Sequence, residues 1–562
     1  MEPAGFAIGY ISMESGDIRH VSGDVPAQLV NDDVSVQLAF DGQVIQVAVE
    51  PLRPVLLESA QVQLRHAFAT NESVLLNGYQ SWTDTAERSA WSSMRGLRGV
   101  PKRLVERYSF DAIGDYGIVA YEGRRGLQHG FTYATFRRGQ GMVLVGSMDE
   151  SQGFTVIRTD AGRGQVLVEP ECPLRVLDAG ERAILGRIAV VRGTVDECYD
   201  RWFQLSGVKA RPIRPLLGYT SWYRHYGDID ARKLEHDLRG FSQAMADMNL
   251  LPKQGELDEG EPGSKCQDGA LPGASAAVSG SARSKPPAPQ LLFQIDDGYC
   301  KVGDWLDVDE EKFPDGLASL AAAARERGIL PGLWIAPFVC ERESRVFSER
   351  PEWLLRDASG NPVPTGSHWS GGFALDTRNT EVRSYVLDVL RTIVREWGFG
   401  LLKADFLYAA CLMPHDRQNR GQLMADAIDL LRTGAGEDVL LLGCGVPLGS
   451  AFGRVDYCRI GCDVGLDWDD APHMRLLHRE RVSTKNSLGN TRARQPLDGR
   501  AFGNDPDVFF LRDDVKLTDA QRDDLLFADA ASGSVLLTSD DMAAWDERKR
   551  SRYQAAVRVF LQ

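Results

Sequence analysis

Between residues 1 and 205, apolar and polar positions alternate in short runs separated by turn residues. Val34-Ser35-Val36-Gln37-Leu38-Ala39-Phe40 and Gln43-Val44-Ile45-Gln46-Val47 flank Asp41-Gly42, the pattern of two strands joined in a hairpin. Further alternating runs at 117–121, 142–147, 153–159 and 165–168 predict more strands. Many short strands with regular turns indicate an antiparallel β-sandwich, here assigned to residues 1–210. Within it, Asn77-Gly78-Tyr79-Gln80-Ser81-Trp82 is too polar and aromatic for plain core. It reads either as a packed loop or as a loop reaching toward a neighbouring site.

From about residue 211 the period changes to strands alternating with helices. Strands are expected at 216–220, 291–295, 329–338, 401–407, 439–442, 457–463, 508–511 and 534–538. Asp230 caps one intervening helix, and Asp315 is placed to cap an alanine-rich one that Gly328 stops. Apolar Val382, Val386, Leu390, Ile393 and Trp397 mark a third helix at 382–397, and 545–560 a last one. Eight such repeats predict a (β/α)8 TIM barrel over 211–562. Residues 252–290 are rich in Gly, Pro, Ser and Ala with almost no aromatics, a composition that cannot bury a core. This flexible insertion follows a helix and precedes a strand, on the face of such a barrel away from the chemistry.

The formal net charge of −15 argues against a nucleic-acid partner and an anionic membrane surface, and fits a neutral small molecule. The first twenty residues lack a basic start and apolar core, and no uncharged run reaches membrane-spanning length. None of the nine cysteines has zinc-site spacing, so reduced thiols in a cytoplasm are expected. The oligomeric state is left open, with a homo-oligomer allowed.

In such a barrel the chemistry collects at the C-terminal strand ends. These carry Asp296 and Asp297, Trp334, Lys403 with Asp405, Cys444 and Gly445, Arg459 with Asp463, and Asp540. Asp505 and Asp507 precede their apolar run and join the set only if the seventh strand lies upstream. Lys403 and Asp405 are two positions apart in one strand, so they share a face. A lone pair of this kind is as readily a structural ion pair; the number of acids at other strand ends argues for a site. Metal-dependent hydrolysis would need a histidine motif, and the nine histidines form none; His473 and His478 stand five apart on what reads as a helix. Lys403 and Arg459 would also compete with a cation, so neither metal nor cofactor is expected. Gly443-Cys444-Gly445-Val446-Pro447 follows a strand, but its spacing misses the dinucleotide fingerprint. Glycoside hydrolysis needs two carboxyls across the scissile bond together with aromatic walls. Trp222, Tyr223 and Trp334 supply the aromatics, and Lys403 and Arg459 supply donors for sugar hydroxyls.

Asp296-Asp297-Gly298-Tyr299, Trp334, Lys403-Ala404-Asp405, Gly443-Cys444-Gly445, Arg459 through Asp463 and Asn504-Asp505-Pro506-Asp507 together resemble the α-galactosidases of glycoside hydrolase family 36, in the melibiase clan. Asn77 to Trp82 is similar to the family's N-terminal signature. The resemblance implies a sandwich packed on a barrel and retaining hydrolysis of terminal α-galactosyl groups from oligosaccharides. It assigns Asp405 as nucleophile and Asp463 as acid/base, with Asp467, Asp469 and Asp470 as rivals for the latter role. Asp296, Asp297, Lys403, Cys444, Gly445 and Arg459 become sugar-binding positions, with Trp334 as a platform and Trp82 reaching in from the sandwich. Lys403 is expected to keep Asp405 ionised, and strand parity to turn Arg459 and Asp463 into the pocket together. A galactosyl transferase of the raffinose-synthase kind, an α-N-acetylgalactosaminidase and a non-catalytic sugar-binding protein are the alternatives; the presence of both carboxyls weighs against the last. The C-terminal β-domain usual in the family is expected to be absent, and the insertion at 252–290 is a second departure.

Overall fold

The computed structural model describes residues 1–24, 27–251, 288–469 and 478–562. Asp41 turns the first predicted hairpin by accepting the N–H groups of Gln43 and Val44 at 2.9 and 2.7 Å, with Gly42 at a φ of 100°. Val34–Phe40 and Val44–Pro51 then pair antiparallel, with Phe40 opposite Ile45. They belong to an eight-stranded antiparallel sheet that faces a seven-stranded one. Phe6, Ile8, Val62 and Val168 of one sheet meet Val36, Val47, Phe136 and Ile188 of the other in a single core, as alternation along each strand requires.

The strand predicted at 117–121 is not formed. The N–H groups of Ile118 and Val119 bond back to the Asp115 carbonyl at 2.8 and 2.9 Å, and the buried Asp115 carboxylate takes the Tyr121 hydroxyl at 2.5 Å. A local turn around one buried acid has displaced the ladder that the apolar pattern suggested.

The second half is organised on a curled parallel sheet of nine strands. Their order is Gly503–Asp505, Tyr457–Arg459, Leu440–Gly443, Leu401–Ala404, Leu330–Ile335, Gln290–Ile295, Leu216–Thr220, Val535–Thr538 and Val508–Phe509. The first and last in this order are separated in sequence by only Pro506 and Asp507, so the curl brings the sheet's two ends together. The seventh predicted strand therefore starts upstream of 508, at Gly503. Pro506 lacks an N–H and Asp507 has a φ of 96°, which divides the strand in two. Strands such as Leu216–Thr220 and Leu401–Ala404 are buried at every position, as parallel strands covered on both faces must be.

Among the helices, Asp230 caps Ala231–Asp247 as expected, accepting the Lys233 N–H at 2.9 Å. Asp315 does not cap the alanine-rich helix. Gly316, at a φ of 67°, turns the chain after it, and the helix starts at Ala318 with no side-chain cap. Gly328 stops that segment at a φ of 70°. The helix expected at 382–397 is α-helical over Thr380–Arg391 and continues as a π turn over Thr392–Glu396. Asp546 caps the last helix, Glu547–Phe560. The insertion read at 252–290 lies outside the described residues but for its last three. All eight described cysteines are free thiols, and no helix among the described residues is long and apolar enough to cross a membrane.

Candidate active site

Leu401–Ala404 lies in register beside Leu330–Ile335, with Lys403 opposite Trp334. The chain leaves the sheet at Asp405, whose N–H makes one last bond to the Ile335 carbonyl at 2.8 Å. The Asp405 carboxylate is then gripped on both oxygens. Trp334 Nε1 donates to Oδ2 at 3.0 Å, and the Phe406 N–H donates to Oδ1 at 2.8 Å. Phe406 adopts a φ of 53°, and this left-handed turn lets its N–H fold back onto the side chain before it. Trp334 is thus a hydrogen-bond donor to the expected nucleophile as well as an aromatic wall.

Lys403 does not pair with Asp405. Its Nζ lies 2.8 Å from Asp296 Oδ2, and both residues are buried. Burial works against each charge, yet the contact prevails: Asp296 is held below the usual carboxylate range and Lys403 above the usual amine range. Gln294 Nε2 also donates to that oxygen at 2.8 Å. The neighbouring Asp297 is pushed up to about 6 by burial, and Trp369 Nε1 donates to its Oδ2 at 2.6 Å. Trp369 sits 6.2 Å from Trp334 and 5.0 Å from Phe406 between ring centres, completing an aromatic wall.

Arg459 closes the opposite side. Its guanidinium reaches Asp505 at 3.2 Å, Asp507 at 2.8 Å and Asp463 at 3.0 Å. The strand ends at Arg459, so strand parity does not set the Asp463 direction; a direct hydrogen bond from Arg459 Nη1 to Asp463 Oδ1 does. Asp505 and Asp507 are completely buried, whereas the Asp463 side chain is 36% exposed and so reaches the open side of the cluster. Asp507 is pushed up to about 7 by burial, against the pull of Arg459. The buried Tyr223 hydroxyl donates to Asp507 Oδ2, which makes Tyr223 a support beneath the acids. Trp222, the other aromatic read from that segment, is half-buried and meets the Tyr226 ring edge-on at 5.2 Å.

The loop Asn77–Trp82 does reach across from the sandwich. Trp82 Nε1 donates to Cys444 Sγ at 3.2 Å, and its ring meets Phe406 edge-on at 5.0 Å. Gly445 follows at a φ of 57°, and a Cβ there would lie 3.0 Å from the Trp82 ring and 3.1 Å from the Phe406 backbone. Burial raises the Cys444 thiol, and the charges of Asp405, Arg459, Lys403 and Asp463 all act on it. Direct contacts bring the predicted strand ends together in two groups, Asp296 with Lys403 beside Trp334 with Asp405, and Arg459 with Asp463, Asp505 and Asp507. The fully buried Arg494 ties the Asn77–Trp82 loop down through the carbonyls of Gln80, Ser81 and Ile460, Asn77 Oδ1 and Thr85 Oγ1.

Asp540 stands apart from this cluster. It accepts the Leu511 N–H at 2.7 Å and Trp545 Nε1 at 3.1 Å, a structural role. Of the rival acids, Asp469 is paired with Arg481 at 3.2 Å, and Asp467 lies in a backbone β-bridge with Lys516 while its Oδ1 accepts the Asp469 N–H at 3.0 Å; Asp470 lies outside the described residues. His478 is in no helix, and His473 also lies outside the described residues. Among the described residues no group of three or more His, Cys, Asp or Glu is placed to hold a metal. Trp369, His368 and Phe406 were not singled out from sequence. His368 is exposed, packs 5.0 Å from Phe406, and feels the charges of Asp463 and Asp405. The signal for this pair was present in Ser367-His368-Trp369-Ser370-Gly371-Gly372, two aromatic rings in a glycine- and serine-rich loop.

A curled parallel sheet bearing carboxylates at several strand ends, with cations and aromatic walls between them, has the layout of barrel glycoside hydrolases. Residues 292–420 match the Melibiase family model. α-Galactosidase 1 of Pediococcus pentosaceus is 26% identical over 22% of this chain, and an A type blood α-D-galactosamine galactosaminidase of Flavonifractor plautii is 32% identical over 20%. The matched stretches span only 18% and 11% of those proteins. An α-galactosidase from Thermus thermophilus, solved with stachyose, superimposes at a TM-score of 0.67 and 24% identity, covering 94% of this chain and 99% of its own. The GH36 α-galactosidase AgaA of Geobacillus stearothermophilus does so at 0.58 and 12% identity, covering 97% of this chain and 69% of its own. At these identities the two structures establish a shared fold. The family match and the relatives bear out the resemblance to the family 36 α-galactosidases.

Proposed function

We propose that the chain is a retaining α-galactosidase, built as a sandwich over residues 1–210 and a (β/α)8 barrel over 211–562. It removes terminal non-reducing α-D-galactosyl residues from small oligosaccharides. The observation that carries this reading is the two-sided grip on Asp405 by Trp334 Nε1 and the Phe406 N–H, with Asp463 held by Arg459 in the second group. A carboxylate whose oxygens are both oriented is prepared for attack rather than for packing.

In the first step Asp405 attacks the anomeric carbon while Asp463 gives its proton to the departing glycosidic oxygen. The C–O bond to the leaving group breaks as the glycosyl–Asp405 ester forms. Asp463, now ionised, takes a proton from water, which opens the ester and returns Asp405 to its carboxylate. Asp296 and Lys403 present an acceptor and a donor pair suited to vicinal hydroxyls, and Trp334, Trp369 and Phe406 form an apolar wall against the sugar face.

The test is hydrolysis of an aryl α-galactoside by wild type and by Asp405→Asn, with NMR of the first-formed sugar. The expected result is α-galactose from the wild type and loss of turnover in the variant. Release of β-galactose, or full activity without Asp405, contradicts the reading. Product analysis with an added acceptor sugar separates hydrolysis from galactosyl transfer.

A further inference from the structure

The loop joining Pro364–Gly366 to Gly372–Ala374 carries an exposed histidine on a fixed frame. Ahead of it, the buried Tyr408 hydroxyl donates to the Thr365 carbonyl at 2.5 Å. After it, Trp369 Nε1 is tied to Asp297 Oδ2 at 2.6 Å and Ser370 Oγ donates to the buried Glu341 at 2.7 Å. The Gly371 N–H closes a turn on the His368 carbonyl at 2.9 Å. Within that turn Trp369 holds a φ of 56°, an outlier for a bulky residue and the kind of strain that gathers at ligand clamps. The His368 side chain has no such anchor. It packs edge-on against Phe406 at 5.0 Å and beside Trp369 at 5.7 Å, and makes no hydrogen bond or ion pair among the described residues.

The place of this ring decides what it can meet. Phe406 gives its N–H to Asp405 and Trp369 gives its indole N–H to Asp297, so His368 borders the two residues that hold these acids. Asp296, Lys403 and Asp405 are buried, whereas His368 and the Asp463 side chain are open to solvent. A terminal sugar whose hydroxyls reach Asp296 and Lys403 enters the cleft first, and the rest of the oligosaccharide stays on the open side. The group that comes to His368 therefore belongs to the leaving sugar.

The chemistry of the ring suits such a group. Loss of water around the imidazole, together with His478, outweighs the pull of Asp463 and Asp405 and holds it below the ordinary histidine value. Near pH 7 it is neutral and offers one N–H donor and one nitrogen acceptor, the two roles that a hydroxyl also plays. An ionic leaving group would find no opposite charge on it. Resting on the α-galactosidase reading above, we propose that His368 is a specificity-determining residue that hydrogen-bonds a hydroxyl of the leaving-group sugar and so favours saccharide over aryl leaving groups.

The test compares kcat/KM on melibiose with kcat/KM on p-nitrophenyl α-galactoside for the full chain and two variants. In His368→Ala the melibiose-to-aryl ratio is expected to fall about three- to tenfold, the size of one neutral hydrogen bond. In His368→Gln, whose amide keeps a donor and an acceptor, the ratio is expected to return toward wild type. A merely structural role would lower both substrates alike and leave the ratio where it was. Wild type that cleaves neither substrate overturns the α-galactosidase reading itself. Where wild type cleaves both, an unaltered ratio in His368→Ala, or a ratio in His368→Gln no higher than in His368→Ala, overturns this proposal alone. Cleavage of the aryl substrate without melibiose also overturns it, because the site then makes no use of a leaving sugar.

Discussion

Lys403 reaches across the sheet to Asp296 at 2.8 Å rather than along its own strand to Asp405. The lysine therefore neutralises the buried acid of the adjacent strand, and two neutral donors, Trp334 Nε1 and the Phe406 N–H, orient Asp405.

Removing one member of this buried pair strands the other charge. Lys403→Met is expected to lower stability by about 3–5 kcal/mol, read from denaturant midpoints. Adding Asp296→Asn to it should recover a large part of that loss. A double variant no more stable than Lys403→Met would show that the two residues are not coupled.

The Trp334 indole is expected to matter through its N–H. Trp334→Phe keeps an aromatic wall but frees Asp405 Oδ2. A hydrogen bond to a charged group contributes about 1.5–3 kcal/mol, so kcat on an aryl α-galactoside should fall roughly 10- to 100-fold, with the unfolding midpoint little changed. Wild-type kcat in this variant would assign Asp405 orientation to the Phe406 N–H alone.

Arg494 anchors the loop that carries Trp82, through three carbonyls and two side-chain oxygens. Burial lowers this guanidinium to about 10, and polar oxygens from sandwich and sheet alike surround it. Arg494→Met should cost about 3 kcal/mol or more, because each unpaired buried acceptor costs about 1–3 kcal/mol. It should also expose the loop around Gln80 to hydrogen exchange ahead of the strands. Unchanged exchange there would mean that Trp82 is held by its own packing.

Asp529 is buried behind Asp507 and Asp505, neither of its carboxyl oxygens has a hydrogen-bond partner among the described residues, and burial raises it well above the carboxylate range. A raised folded-state value means that the folded protein holds a proton the unfolded chain releases above about pH 4. Stability from this group is present at low pH and falls as pH rises. Asp529→Asn should therefore be more stable than wild type at pH 7, with the gap closing as pH drops toward 4. A gap that is constant with pH would show that Asp529 does not titrate in this way.

Much of the candidate site was legible because charged side chains at the ends of apolar runs are costly to place without partners. Aspartates, a lysine and an arginine at the ends of apolar runs, in strand-then-helix order, point to one rim of a parallel sheet before any coordinates are known. The turn at Asp41-Gly42 and the cap at Asp230 were equally readable, since each uses a side chain within three residues. Where a nearby residue changed the backbone, local reading failed. Asp115 replaced a strand with a turn, and Gly316 separated Asp315 from its helix.

The sequence by itself determined the period of the two halves and the residues from which the site is drawn. Only the tertiary structure decided who pairs with whom. Register sets Trp334 beside Lys403, and the chain's exit from the sheet then puts Asp405 on the Trp334 indole. Trp369 enters from a hairpin loop and Trp82 from the sandwich, each from a chain segment with no spacing relation to the strands it serves. The physical reason is that composition and periodicity report which groups must leave water. The partner that compensates each one is chosen by strand neighbours and packed loops, far away in sequence.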